Sequence, residues 1–236
     1  MMQNNIFKKP SFRIAGDRGL LVEYGDEIDP DINNKVRSMA IVMEKEALAG
    51  VLEAIPTYRS LLIFYEPDMT NPTKLEKEIL ALEERLATIK IPTPDRVEIP
   101  VCYGGEYGPD IQFVAEHNSI TLDDVVRIHS GAEYQIYMIG FTPGFPFLGG
   151  LPKQLHTPRL ETPRSFVPER SVGIANNQTG IYPVASPGGW QLIGRTPIKL
   201  FDPESSKPFL YKAGDRIKFN PISADDYNRL AKGVKR

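Results

Sequence analysis

At 236 residues, the chain is long enough for one large or two small domains, each with its own buried core. It is 41% apolar and 25% charged with a formal net charge of −2, which gives no electrostatic reason to expect a nucleic-acid or anionic-membrane partner. The single cysteine excludes an intrachain disulfide. No apolar run reaches the roughly 20 residues that span a bilayer, and the N-terminus lacks the apolar core of a signal peptide. We therefore expect a cytoplasmic protein.

The chain begins with a predicted hairpin followed by a helix. Apolar runs at 12–14 and 20–24 flank Gly16-Asp17-Arg18-Gly19, a composition typical of a tight turn. Asp29-Pro30 then predicts a helix start, because aspartate caps free amides and proline fits the first helical position. Gly50 is the expected end of that helix.

The same order of elements follows once more. Runs at 51–55 and 60–65 predict two strands, and Asn71-Pro72 predicts a second helix, whose apolar stripe extends to Ile89. The order ββαββα predicts a small two-layer α/β domain with an antiparallel sheet over residues 1–91. The helical stripes face the core by default, and nothing in this part has the pattern of a catalytic site.

A stiff segment, Ile91-Pro92-Thr93-Pro94, predicts a linker to a second domain over residues 95–236. A strand at 97–103 and short helices at 109–117 and 121–130 come first, the last with Thr121 and Asp124 spaced as a capping box. Many short strands separated by turn residues then predict a closed β barrel or a sandwich. These strands are expected at 134–139, 166–167, 172–175, 180–184, 190–194, 198–201 and 216–219.

Residues 140–197 carry most of the functional information. Glycine and proline recur among aromatic and branched residues, so the segment is neither a long helix nor a disordered linker. Between 134 and 201 there are six basic and two acidic side chains, which favours a small anionic ligand because guanidinium pairs with carboxylate or phosphate. The alternative is that these are solvated charges on loops.

Familiar catalytic templates do not fit the sequence. The three histidines and one cysteine have no zinc-ligand spacing, so no protein-bound metal is expected. There is no Gly-x-Ser-x-Gly elbow, no Walker loop and no Gly-x-Gly-x-x-Gly after a strand. His129 falls on the apolar face of its helix and favours a core role, His117 ends a helix, and His156 lies inside the proline-rich segment.

What remains is a site of backbone amides, arginines and aromatic walls. Ser186-Pro187-Gly188-Gly189 can present successive amides to an anion, with Trp190 as a flat wall beside them. The alternative is that both glycine-proline motifs are turns that close the barrel. The predicted substrate-binding residues are Phe141, Phe145, Phe147, Arg159, Arg164, Ser186, Gly188, Gly189, Trp190 and Arg195. The candidates for a catalytic role are Arg164, Arg195, His129 and His156.

Several ordered motifs resemble the allophanate hydrolase subunit 1 family. They are GFTPGFPFLGGLP, PRSFVPERSVGIA and GIYPVASPGGWQLIGRTP, together with GDRGLLVEYGD near the start, Tyr107-Gly108-Pro109-Asp110, and Gly214-Asp215-Arg216-Ile217. The resemblance covers nearly the whole chain. It implies an α+β protein of two domains, the small α/β domain followed by a cyclophilin-like β barrel.

The resemblance also implies a function. The family includes the B subunit of ATP-dependent 5-oxoprolinase, which acts with the A subunit and the paralogous, cyclophilin-like C subunit to convert 5-oxo-L-proline to L-glutamate, using ATP with magnesium. The first expectation is therefore a component of that hydrolase, active in the lactam-phosphorylation step and inactive alone. The second is a KipI-type inhibitor of a sporulation histidine kinase. The third is a component of a urea carboxylase and allophanate hydrolase system.

Overall fold

A computed structural model describes residues 6–86 and 93–233, and the chain divides into two compact units, Met1–Thr93 and Pro94–Arg236. The first unit contains β1 (Ile6–Ala15), β2 (Gly19–Gly25), α1 (Pro30–Glu46), β3 (Val51–Pro56), β4 (Ser60–Tyr65) and α2 (Pro72–Arg85). This is the predicted order ββαββα. Ile89, Ile91 and Pro92 of the predicted helix stripe and linker lie outside the described residues.

The first unit is an antiparallel sheet in the order β1-β2-β4-β3 with helices packed on it. Alternate residues of β2 and β4 face the helices, because successive side chains in a strand point to opposite sides. Leu20, Val22, Leu61 and Ile63 are fully buried there against the apolar stripes of α1 and α2. The predicted two-layer arrangement is confirmed.

The helix starts of the first unit follow the sequence signals, and one helix end does not. Asp29 caps α1 by accepting from the amide of Asp31 at 2.8 Å, and Asn71 caps α2 by accepting from the amide of Lys74 at 3.0 Å. The prediction that α1 ends at Gly50 is wrong. The helix ends at Glu46, and Ala47 takes the left-handed cap conformation at φ 45°.

The second unit is built on a closed barrel in the order β10-β7-β6-β13-β5-β12-β9. Its strands are β5 (Arg96–Tyr103), β6 (Glu133–Ile139), β7 (Pro146–Gly149), β8 (Arg164–Val167), β9 (Ser171–Ala175), β10 (Gln178–Ile181), β11 (Ser186–Gly188), β12 (Gln191–Arg195) and β13 (Arg216–Pro221). Its helices are α3 (Ile111–His117), α4 (Leu122–Gly131) and α5 (Ala224–Gly233). The predicted barrel is confirmed. No helix within 6–86 or 93–233 has the length and apolarity needed to cross a bilayer.

Three details of the second unit differ from the sequence prediction. The strand expected at 198–201 does not form, and Phe201 makes only an isolated bridge to Phe209. Strands β7 and β11 form where proline and glycine predicted turns, and β11 pairs with β8 as a separate two-stranded ribbon. Helix α5 was not predicted.

His129 fastens α4 to the barrel core. Thr179 donates its hydroxyl proton to the carbonyl of Gly173 at 3.0 Å, so its oxygen accepts from Nε2–H of His129 at 2.9 Å. Nδ1 of the neutral ring then accepts from the Tyr103 hydroxyl at 2.8 Å. Phe219 stacks on the imidazole at 4.6 Å between ring centroids. Burial lowers the pKa of His129 from its ordinary 6.5 to about 3.

We expect this histidine to make the fold sensitive to acid. The unfolded chain protonates His129 near pH 6.5, but the folded chain does so only near pH 3, so its contribution is present above pH 6.5 and is lost as the pH falls. From about pH 7 to about pH 5 that loss is roughly 2 kcal/mol of the free energy of unfolding. Between pH 7 and pH 5, urea titrations should show that His129→Gln loses about 2 kcal/mol less of its free energy of unfolding than wild type does. His117→Gln, altered at an exposed position, should keep the wild-type loss. Equal losses in all three proteins would refute the assignment.

Candidate functional site

An aromatic cluster lies beside the barrel core and unites the two glycine-proline motifs. Phe145, Tyr182 and Trp190 are buried in it, together with Val167, Ala175 and Leu192. The ring of Phe145 meets those of Trp190 at 5.6 Å and Tyr182 at 5.4 Å, both edge to face. The two segments that were predicted to form opposite walls are therefore in contact, and we call this group the aromatic cluster.

The other predicted aromatic residues border the cluster. Phe147 is partly buried against it, at 4.9 Å from Phe145. Phe141 is 69% exposed, meets Phe145 edge on at 5.7 Å, and has a φ of 67°. A positive φ is costly for a bulky side chain, and such strain is commonest at functional positions.

Glycines allow the cluster to close. A Cβ atom on Gly188 would lie 2.4 Å from the Tyr182 hydroxyl oxygen. A Cβ atom on Gly180 would lie 3.0 Å from the Trp190 ring and 3.1 Å from that of Phe145. Neither Gly188 nor Gly189 has a positive φ. The SPGG motif therefore serves close approach within an extended ribbon, which differs from the predicted nest of amides.

Arg164 is held on the ribbon by two partners. Its Nη2 lies 2.6 Å from Oδ1 of Asp110, and its Nη1 donates to the carbonyl of Trp190 at 3.2 Å. The other oxygen of the Asp110 carboxylate accepts from the amide of Leu192 at 2.6 Å. Asp110 thus joins the β8–β11 ribbon to barrel strand β12.

Sequence reasoning did not select Asp110, although it ends one of the motifs that carry the family resemblance. Gly108, in the same motif, lets this segment approach the barrel, because a Cβ there would lie 2.1 Å from the carbonyl oxygen of Ile193. The amide of Asp110 donates to the carbonyl of Leu192 at 2.9 Å. The contact between the Tyr107–Asp110 motif and strand β12 can be predicted only when the strand pairing is known.

The other predicted arginines differ in how far they are engaged. Arg195 donates from Nε to the carbonyl of Glu169 at 2.9 Å. Arg159 is exposed and makes no hydrogen bond or ion pair with the residues the structure describes. Its charge nevertheless acts on Tyr182, where Arg159 and Arg164 both oppose the rise in pKa that burial causes. Arg159 is the predicted arginine with the most freedom to meet a ligand.

Two hydroxyl groups add polarity to the aromatic cluster. Tyr182 is 2% exposed, and burial raises the pKa of its hydroxyl, an effect that the backbone of Trp190 opposes. The Oγ of Ser186 is closed to solvent and has no hydrogen-bond partner among the described residues. Tyr182 was missed in the sequence because a lone tyrosine between apolar residues is typical of any core.

The candidate histidines lie elsewhere. His129 is bonded within the barrel core as described above, which agrees with its preferred core interpretation. His156 is partly buried and donates from Nε2 to the carbonyl of Leu151 at 3.1 Å. In the described part of the chain, no three His, Cys, Asp or Glu side chains are grouped so as to hold a metal ion. The site therefore offers arginine charge, hydroxyl groups and buried aromatic walls, which suit a small anionic molecule.

Comparison with known proteins identifies the class to which this fold and site belong. Residues 10–211 match the model of the carboxyltransferase domain, subdomain C and D, and the chain belongs to that family. Within it, the chain is 44% identical to the B subunit of 5-oxoprolinase from Bacillus subtilis (strain 168), over 90% of this chain and 93% of that protein. It is 40% identical to the B subunit of 5-oxoprolinase from Escherichia coli O157:H7, over 83% and 90%. The family resemblance drawn from the motifs is confirmed.

Solved structures agree with the fold. A crystal structure of TTHA0988 superposes with a TM-score of 0.78 at 34% identity, covering 88% of this chain. This chain spans only 40% of that longer one.

We expect Asp110 to be the main electrostatic contribution to the ribbon. Asp110→Asn leaves Arg164 without its counter-charge and weakens the acceptor for the Leu192 amide, so it should lower the free energy of unfolding by about 2 kcal/mol. Asp95→Asn is the matched control, since Asp95 pairs with Lys212 at 3.0 Å but is 71% exposed. That change should cost less than about 1 kcal/mol. Urea denaturation compares the two, and similar losses would contradict the role given to Asp110.

Adjacent glycines supply a second matched pair. Gly188→Ala drives a methyl group into Tyr182, whereas a Cβ on Gly189 meets nothing closer than Pro163 at 3.6 Å. Gly188→Ala should therefore lose about 1–3 kcal/mol and change the Trp190 emission spectrum, while Gly189→Ala should remain close to wild type. Denaturation followed by tryptophan fluorescence measures both, and a tolerated Gly188→Ala would rule out the close approach.

Proposed function

We propose that this chain is the B subunit of an ATP-dependent 5-oxoprolinase. The observation that carries the proposal is the 44% identity to a protein named as the B subunit of 5-oxoprolinase, over 90% of this chain and 93% of that one. A match that spans both chains almost completely supports a shared role better than a match to one domain of a larger enzyme.

In the proposed reaction, 5-oxo-L-proline is opened to L-glutamate at the expense of ATP. A lactam carbonyl is a weak electrophile, so its oxygen is first phosphorylated: that oxygen attacks the γ-phosphorus and ADP leaves. One water then opens the ring at the activated carbon, the nitrogen takes up a proton, and a second water releases phosphate. We assign this chain to the phosphorylation step, with magnesium accompanying ATP in the complex.

The residues of the aromatic cluster suit the binding part of that step. Arg159 supplies positive charge for the substrate carboxylate, while Arg164 is already paired with Asp110. The exposed ring of Phe141, which meets Phe145 at the border of the aromatic cluster, offers an apolar surface to the five-membered ring. Fixed charges and hydroxyls in such surroundings stabilise developing negative charge without having to reorganise.

We also propose that the active assembly contains the A and C subunits of 5-oxoprolinase. The relatives are themselves named as subunits, which supports a complex of several chains.

A urea-degrading role is less favoured. Urea amidolyase of Saccharomyces cerevisiae is 25% identical over 96% of this chain, but this chain spans only 14% of it. The kinase-inhibitor role stays a prediction of the resemblance, which a histidine-kinase autophosphorylation assay would test.

The proposal is tested by reconstitution. The isolated chain should release no glutamate, and the mixture with the A and C subunits, ATP, magnesium and 5-oxo-L-proline should release it. Arg159→Gln should raise KM for 5-oxo-L-proline about tenfold, because one charged hydrogen bond is lost. Arg127→Gln, which alters an arginine 71% exposed on α4, should leave KM unchanged. A complete mixture that yields no glutamate would refute the assignment.

A further inference from the structure

Ser186 carries a buried hydroxyl that the fold does not use. Its Oγ is closed to solvent and has no partner within the described residues. The hydroxyl faces the aromatic cluster, because Ser186 pairs across the ribbon with Val167, and cross-strand partners share one face. An unsatisfied buried hydroxyl lowers stability, so an alanine here would serve the fold better. The hydroxyl is thus free to bind a ligand, and its surroundings decide whether it does.

Tyr182 lies on the same side of the ribbon. The Tyr182 hydroxyl lies over Gly188, two residues after Ser186 and across a register irregularity, and Tyr182 shares the aromatic cluster with Val167, the cross-strand partner of Ser186. A methyl group at Gly188 would collide with the Tyr182 hydroxyl, because its Cβ would lie only 2.4 Å from the hydroxyl oxygen. The two hydroxyl groups therefore belong to one surface.

The charge next to this surface matches a monoanion. Arg159 precedes Leu160, whose amide donates to the carbonyl of Gly189 at 2.8 Å, and with Arg164 it opposes the rise in the pKa of Tyr182. Arg164 is already neutralised by Asp110 at 2.6 Å, and Arg159 has no counter-ion among the residues described. One uncompensated positive charge beside two hydroxyl groups fits a carboxylate better than a phosphate dianion, which needs more positive charge.

We propose that the hydroxyl groups of Ser186 and Tyr182 bind the carboxylate of a small cyclic amide, with Arg159 as its ion partner. Both residues are then specificity-determining contacts for the substrate. This inference rests on the proposed function, because 5-oxo-L-proline is the carboxylate it assigns to the site.

The test uses changes that separate folding from binding. Ser186→Ala removes an unsatisfied hydroxyl and Tyr182→Phe removes one oxygen while keeping the ring of the aromatic cluster. The control is Thr70→Val, because Thr70 in the first unit also has a buried Oγ1 without a hydrogen-bond partner among the described residues. The probes are 5-oxo-L-proline and inorganic phosphate. Binding to the full chain is followed by the emission of Trp190, the only tryptophan and a member of the aromatic cluster. KM is measured in the reconstituted mixture.

We expect Ser186→Ala to melt at or above the wild-type temperature and yet to bind 5-oxo-L-proline about tenfold more weakly, with KM raised to match. Tyr182→Phe should show a similar loss of affinity. Thr70→Val should also keep or raise the melting temperature, with affinity and KM unchanged.

Two results would overturn the inference: unchanged affinity and KM in both Ser186→Ala and Tyr182→Phe, or an emission change with phosphate and none with 5-oxo-L-proline. The proposed function fails separately. If the wild-type mixture makes no glutamate but the chain still binds 5-oxo-L-proline in a Ser186-dependent manner, the site stands and the assigned reaction does not.

Discussion

The carboxylate of Asp110 is the interaction on which the candidate site depends. One oxygen accepts from the amide of Leu192 in β12, and the other meets the guanidinium of Arg164 in β8, each at 2.6 Å. The β8–β11 ribbon lies outside the closed barrel, so pairing with the barrel strands does not fix its position. The partly buried carboxylate of Asp110 binds strand β12 with one oxygen and Arg164 with the other. It therefore positions the ribbon and neutralises one arginine. Without it, the ribbon would be held by the hydrogen bond from Arg164 to the carbonyl of Trp190 and by the packing of Val167 in the aromatic cluster.

Close packing around two glycines then determines the shape of the aromatic cluster. The ribbon approaches Tyr182 through Gly188, and Trp190 approaches Phe145 across Gly180, so two glycines set the depth of the aromatic cluster. Because interiors are packed at crystal-like density, a methyl group at either position must displace a ring. The hydroxyls of Ser186 and Tyr182 are the polar groups that this packing leaves beside the aromatic rings.

Local signals in the sequence predicted the elements, and distant pairings decided the site. The caps at Asp29, Asn71 and Thr121 depend on residues within one turn, and the structure has all three. Strand β11 was unpredictable because Ser-Pro-Gly is typical of a turn, and it becomes a strand only through its pairing with β8. The Asp110–Arg164 pair joins positions 54 residues apart, so no spacing rule could have connected them. The arginines and aromatic residues were selected by residue type within the glycine- and proline-rich segment. Residue type does not tell which of these side chains are already paired or buried in the folded protein.

The contrast between Ser186 and Thr70 shows what makes an imperfect contact informative. Both have buried hydroxyl oxygens with no partner in the described chain, so an unsatisfied hydroxyl by itself does not identify a site. Ser186 differs because its surroundings contain a second hydroxyl, two arginine charges acting on Tyr182, and, at Phe141, a bulky residue held at a positive φ. Unpaired buried hydroxyls and strained backbone angles lower stability. When several of them lie around one charged surface, a functional site is expected there. In the first unit, by contrast, Thr70 packs its side chain against Gly50, and its amide donates to the carbonyl of Glu66 at 3.1 Å.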